Sequence, residues 1–517
     1  MVNVRKSNVS EKFLVIIDID KIQDYVFRNI KLKPIFGASL LVAELTSREF
    51  CTTVSVLKDF KEAKEIKELS SGKRYVPVFF GGGNIKIIFG NHVDACNFTE
   101  DMQRLFIKKA PGSTFSHIIY KFSNNFDTKV IEQAERELKR IKQSKLSSIQ
   151  PNTNPCFDLC ALCRTYPSNY EYPFKEKEFV CENCFRALES FNNFSTMNNE
   201  DILLKKFYKQ FTKNLRRDFM SEFDDIKDDK SYLAVMNMDA NDLGDKIINR
   251  IGNTVNDTCV RELKTFSDDL NTAVIDMLIN SLKDNIFTPD DKKFNALPFR
   301  PIIIGGDDIC LVIAGNKAIQ FIRNFIENVQ KNAFCKTNGI TFSIGVCFVK
   351  AHYPFSFAHK LSEQLLASAK AKKSQENVNV IDWEILNTST VEGLAAIRND
   401  RYKTEHASNE YILTYKPYIF KSGNYKDFNN FVHITGELET ILKSSKFKEL
   451  RRIVREDKTV SHFMFRRLIS RLTKDEKKQI EGFLESLNLQ KDTIWRQDNN
   501  KWYNNFLDMV EISDFIS

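Results

Sequence analysis

No stretch of this sequence holds the ~18 consecutive apolar residues that a helical membrane span needs, so none is expected. The first apolar run, FLVIIDID at 13–20, is too short and too acidic for a secretory leader, and a cytoplasmic location is the expectation. None of the seven histidines is followed by aspartate, which excludes an HD-type hydrolase motif. A strong charge bias is also missing. A net charge of +8 on 517 residues permits an anionic partner without demanding one. The length exceeds what a single core organises, and roughly three or four domains is the prior.

What is present is an internal repeat. FLVIIDID reads as a buried strand ending in acids, and KIQDYVFRNI starts a helical pattern after it. VPVFFGGGNIKIIFG at 76–90 then reads as a hairpin. The order restarts at SYLAVMNMDA, 231–240, followed by NDLGDKIINRI and the hairpin RPIIIGGDDICLVIAG at 300–315. Asp18 lies 63 residues before Gly81, and Asp239 lies 66 before Gly305. Strand, acid, helix, strand, glycine turn, strand is thus written twice. ITFSIGVCFVKA (340–351) and FAHKLSEQLLASAKAKK (357–373) read as a further strand and helix, and the text from about 376 is mostly helical.

Glycines at a hairpin turn supply positive φ at little cost. That accounts for Gly305 and Gly306 but not for Asp307 and Asp308, which repel each other. A divalent cation accounts for both, because Mg²⁺ and Mn²⁺ take carboxylate and phosphate oxygens. If 232–239 pairs beside the hairpin, Asp239 joins the same ion, with the Ala240 carbonyl as an extra ligand. Two such ions suit attack of a hydroxyl on an α-phosphate. Lys370 is placed to hold a triphosphate, although it also reads as a solvated lysine in AKAKK. In the first copy Gly81, Gly82, Gly83 and Asn84 keep the hairpin's shape without its acids. Asp18, Asp20 and Asp24 are therefore expected to be structural or to touch a nucleotide indirectly.

Five of the eleven cysteines fall between 156 and 184. Cys160, Cys163, Cys181 and Cys184 form two CxxC knuckles 17 residues apart, a spacing that suits a closed, structural tetrahedral Zn²⁺ site. Cys156 is a spare or substitute ligand. The other six read as reduced, packed thiols. Near the C-terminus, Arg451, Arg452, Arg466, Arg467 and Arg471 fit either a solvated helix face or an RNA-phosphate contact, and Phe463, Phe465 and Leu468 between them read as core.

IDIDKIQDYVFRNIKLKPIFGASLLV, the GGGN hairpin, the paired cysteines, MDANDLG and RPIIIGGDD together resemble the large signature subunit of type III CRISPR effector complexes, over about residues 10–375. The resemblance implies an α+β chain. It has two ferredoxin-like palm domains of the nucleotide-cyclase kind, a zinc-ribbon-like insert and a helical C-terminal domain. The expected division is 1–150 for the first palm, 151–190 for the zinc lobe and 191–230 for a helical linker. The second palm is expected at 231–375 and the C-terminal domain at 376–517. It also implies conversion of ATP to cyclic oligoadenylate messengers at Asp239, Asp307 and Asp308. The nucleotide would lie over Gly305, Gly306 and Lys370, the acceptor over the first hairpin, and guide or target RNA and other subunits would be partners. The family's strand-end Asp-x-Asp-Asn is here Asp239-Ala240-Asn241-Asp242, which leaves open a shift of the second acid to Asp242. No HD nuclease is expected. A silent scaffold and a stand-alone cyclic-nucleotide synthase are the competing readings.

Overall fold

The computed structural model describes residues 11–516 apart from 71, 124, 146–157, 173–177, 198, 213–218, 284–296, 374–376, 387–392, 407–408, 424–425, 488, 490–493 and 499–500. The first half builds a sheet from β1 (Lys12–Asp20), β2 (Arg74–Gly81), β3 (Asn84–Phe89) and β4 (Thr114–Phe122). The second half builds another from β5 (Tyr232–Ala240), β6 (Phe299–Ile304), β7 (Asp308–Ala314) and β8 (Phe342–Lys350). The spatial orders are β2-β3-β1-β4 and β6-β7-β5-β8, these strands antiparallel to their neighbours, with a short strand Lys61–Glu62 parallel to β2 at the edge of the first sheet. Both halves therefore have the α+β palm arrangement expected of them. The leading strand of each is interior and covered on both faces, which is why FLVII and LAVM are unbroken apolar runs.

The second sheet runs past residue 375. β9 (Val380–Ile385) pairs parallel with β8, so the sheet does not close where the sequence reading ended the second palm. The two sheets share one apolar cluster, in which Val15, Ile17 and Ile87 meet Val235, Val312 and Leu365. Helix Phe355–Lys373 packs over β8 and β5 through Gly345. A Cβ on Gly345 would stand 2.2 Å from the Ser362 carbonyl oxygen and 2.3 Å from the Leu366 nitrogen. Backbone cannot yield cheaply on both sides, so Gly345→Ala is expected to cost about 3 kcal/mol. A urea midpoint unchanged from wild type would contradict this.

The C-terminal part is mostly helical, with a small sheet of the strands Lys403–His406, Asn409–Ile412, Arg496–Asp498 and Lys501–Tyr503. A buried ionic knot ties it to β9. Lys416, fully buried, lies 3.3 Å from Glu384 Oε1 and 3.8 Å from Asp508 Oδ1. Arg398 reaches Asp382 at 2.5 Å and Glu384 at 2.6 Å. Phe465 and Leu468 are core as expected, but Phe463 is 67% exposed and is not. Helix Lys458–Ser470 turns it outward, two residues away from the buried Phe465. Arg471 and Arg451 are engaged within the chain, with Glu449 (2.7 Å) and Glu511 (3.8 Å).

Candidate active site

The register of the second sheet sets Asp308 directly opposite Asp239. Residues paired this way project from the same face, with Cα atoms about 5 Å apart. Asp307 is drawn in by the Ala240 amide, which donates to its carbonyl (3.3 Å), while the Gly305 amide donates to the Asp308 carbonyl (2.8 Å). Ile304 pairs with Ile309, so the turn is the four residues Gly305–Asp308, wider than a two-residue hairpin. Gly306 takes φ 89°, which a side chain rarely tolerates, and a Cβ there would stand 2.9 Å from Asn271 Oδ1.

Three carboxylates at one strand end strain against their own charge. Burial, then Asp239, pushes Asp307 up to about 6. Burial, then Asp239, Asp307 and Glu363, pushes Asp308 up to about 7. Asp239 is raised as well, by burial, although Lys370 opposes this from 2.8 Å. Partly buried oxygen donors short of positive charge are what a hard divalent cation requires, so the donor set fits Mg²⁺ or Mn²⁺. Asp242 does not join them. It adopts φ 52° and forms an ion pair with Lys373.

Sequence reasoning missed Glu363. It stands two helical turns before Lys370, on the same face of helix Phe355–Lys373. Burial, then Asp24 of the first half, pushes it up to about 7. The seven-residue spacing from Lys370 was the available signal.

The first half repeats the framework of this site position by position, with other residues at several of them. Asn84 stands opposite Asp18, as Asp308 stands opposite Asp239. Ser116 pairs with Asp18 as Ser343 does with Asp239. Asp20 accepts from Ser116 (2.7 Å) where Asn241 accepts from Ser343 (2.8 Å). Lys21 and Asp242, each three residues past the strand-end acid, are both left-handed. Lys142 holds Asp18 at 2.5 Å and Lys145 holds Asp20 at 2.8 Å. Burial works against the Asp20 charge, but Lys145 and Ser116 outweigh it and its pKa lies below the ordinary value.

Gly81 pairs with Asn84, so this turn is the tighter one, and Gly81, Gly82 and Gly83 all have positive φ. A Cβ on Gly83 would strike Ile22 Cδ1 at 2.3 Å. The two turns meet: a Cβ on Gly82 would lie 3.6 Å from the Gly305 carbonyl. Beside them a cavity of about 260 Å³ is lined by Leu243, Ile247, Phe266, Leu270, Asn271 and Gly306.

The sulfur atoms of Cys160, Cys163, Cys181 and Cys184 lie within 4.8 Å of one another. Cys163 and Cys181 are 3.7 Å apart, close to the ~3.8 Å edge of a tetrahedron with ~2.3 Å metal–sulfur arms. Hydrogen bonds from the neighbouring thiols favour the Cys160 thiolate, and the same crowding pushes the Cys181 and Cys184 thiols up. Four sulfur donors in this arrangement fit Zn²⁺. Cys156 lies outside the described residues. Cys181 caps helix Glu182–Asn193 and Cys184 lies in its first turn; the helix packs on helix Leu32–Leu45 so closely that a Cβ on Gly37 would stand 1.8 Å from the Ala187 carbonyl oxygen.

No helix among the described residues is long and apolar enough to cross a membrane. No curated protein matches the chain. Among solved structures it is similar to an apo Csm1-Csm4 cassette, at 14% identity and a TM-score of 0.49 over 94% of this chain and 71% of that one. It is similar to Csm1 in T.onnurineus at 13% and 0.47, over 92% and 67%. A Csm1-Csm4 cassette in complex with AMPPNP is matched at 14% and 0.44, over 70% and 53%, so this chain spans about half of that protein's length. Residues 232–379 match the family model described as Cas10/Cmr2, second palm domain. By that match and by its own motifs, the chain resembles a Cas10-like large subunit of type III CRISPR effector complexes.

Proposed function

We propose that the second palm is a metal-dependent nucleotidyltransferase centre that converts ATP to cyclic oligoadenylate messengers, within a type III CRISPR-like antiviral effector. The observation that carries this is the meeting of Asp239, Asp307 and Asp308 at one strand end, inside the segment similar to the Cas10/Cmr2 second palm. These acids and the Ala240 carbonyl would hold Mg²⁺ or Mn²⁺, which when bound stabilises charge on a transferring phosphate.

The chain's own groups do the rest. Gly305 and Gly306 have no side chain to keep phosphates from the backbone, and Lys370 offers a point charge to the triphosphate. The cavity beside the turn has apolar walls for a planar base, with Asn271 and Ser267 to hydrogen-bond its edge. The first hairpin, Gly81–Asn84, lies beside Gly305 and would seat the acceptor nucleotide. The acceptor's 3′-hydroxyl would attack the α-phosphorus of the other ATP and lose its proton to water, a new P–O bond forming as the α–β bridge breaks to release pyrophosphate; ring closure repeats the step between the product's own 3′-hydroxyl and 5′-triphosphate. Adenine as the base rests on the family resemblance, as do guide or target RNA and companion subunits as partners. Zn²⁺ in the cysteine lobe is structural.

The test is product analysis. Purified chain is incubated with ATP and Mn²⁺ or Mg²⁺, with and without co-purifying RNA and proteins, and products are resolved by mass. Cyclic adenylate with pyrophosphate is expected. Product from the chain alone would favour a stand-alone synthase, and no pyrophosphate in any arm would leave only the scaffold reading.

A further inference from the structure

The two palms form an internal control for each other. In the first, Lys142 and Lys145, three residues apart, hold Asp18 and Asp20. In the second, Lys370 and Lys373, at the same spacing, hold Asp239 and Asp242. The ammonium on the strand-end acid is thus part of the fold, present where the turn carries Asp307 and Asp308 and equally where it carries Gly83 and Asn84. In the first copy two ammoniums answer two acids, with Lys142 also 3.8 Å from Asp20. In the second, Lys370 sits on Asp239 at the strand end that also carries Asp307 and Asp308, one ammonium among three carboxylates.

We infer that Lys370 is a place-holder on Asp239, and that the second palm therefore takes its cation as a metal–nucleoside triphosphate chelate in preference to the free ion. This rests on the nucleotidyl-transfer reading above. Lys370 occupies Asp239 Oδ2 at 2.8 Å. A dication on the other oxygen would stand within roughly 5 Å of the ammonium, and partial burial leaves that repulsion incompletely screened. A triphosphate removes the conflict by offering the ammonium another anion. The lysine side chain is 42% exposed, so its four-carbon stem is free to swing. Once Lys370 moves to the phosphates, Asp239 is released to Asp307 and Asp308. An AMP, with one phosphate, lacks the tail that draws the lysine away.

The experiment measures Mn²⁺ binding to the full chain by electron paramagnetic resonance of the free ion. The arms are Mn²⁺ alone, with AMP, and with a non-hydrolysable ATP analogue, each against a D239N/D307N/D308N background. Wild type is expected to bind Mn²⁺ about tenfold more tightly with the analogue and no better with AMP. Lys370→Met is expected to bind Mn²⁺ alone about tenfold more tightly than wild type, and to lose the analogue's help. Lys370→Gln should behave the same way, which covers a failure of the methionine variant to fold. Lys142→Met should gain no site, because the turn opposite has no acids, and a gain there would overturn the comparison. If the Lys370 variants bind Mn²⁺ no better than wild type while wild type still binds it with the analogue, the place-holder is overturned and the metal site stands. If no arm of any protein binds Mn²⁺, both are overturned.

Discussion

Replacing Asp307 and Asp308 together by asparagine should abolish nucleotidyl transfer and, at the same time, stabilise the protein above pH 7. Both carboxyls hold their protons to about pH 6 and 7 in the folded chain, because burial and Asp239 disfavour the charge. In the unfolded chain they ionise near pH 4. The folded state therefore binds more protons between those limits, and stability falls as pH rises from about 4 to about 7. Above that the penalty is complete, and below pH 4 it vanishes. Asparagine removes it. Allowing for partial solvent access and for the coupling of the three acids, the gain at pH 8 is on the order of 2 kcal/mol, with none at pH 4. Thermal melts between pH 4 and 9 without divalent ions read this directly. A double variant less stable than wild type at pH 8 would mean that these acids serve the fold, and the case for a cation site would go with it. Mn²⁺ with an ATP analogue should raise the wild-type melting temperature and leave the variant's unchanged.

The second large effect is expected at the cysteine lobe. Its apolar cluster is small, with Leu162, Tyr172, Val180 and Leu188 around the sulfurs, too little to hold a fold unaided. Metal binding there would be folding free energy. Cys181→Ser, or treatment with a strong zinc chelator, should lower the melting temperature by on the order of 10 °C. Because helix Glu182–Asn193 locks on the first palm at Gly37, the loss should spread. Amide exchange in helix Leu32–Leu45 should quicken, which a purely local site would not cause. One zinc per chain by elemental analysis is the companion result. A chelated protein that melts like the untreated one would rule out a structural metal.

The duplication was legible because it is carried by local order: an apolar strand, its terminal acid, then glycines at a fixed distance. The meeting of Asp239 with Asp308 followed from that order once the hairpin was assumed to lie beside the leading strand. Zinc-knuckle spacing is local too. The lysine partners were not seen, because helices Thr128–Ser144 and Phe355–Lys373 must fold back over their sheets before Lys142 or Lys370 meets an acid. The K-x-x-K spacing that ends both helices is nonetheless written in the sequence, where the repeat extends past the hairpins. Phe463 misled because a helix in a basic stretch shows no strong periodicity, and neighbouring Phe465 is core. The loss of acids from the first turn also has a cause that composition hides. Gly83 has φ 81° and lies against Ile22, so an aspartate there would be strained as well as crowded.

The ionic knot around Lys416 bears on how this protein can be divided. Asp382 and Glu384 lie on β9, yet their positive partners Arg398 and Lys416 come from later in the chain. A truncation ending near residue 375 would leave β8 as a naked edge of apolar residues. The severed remainder would keep the charges but lose the sheet that buries them. Neither piece would be a finished body, so the two-sheet half and its tail must be made, kept and lost together.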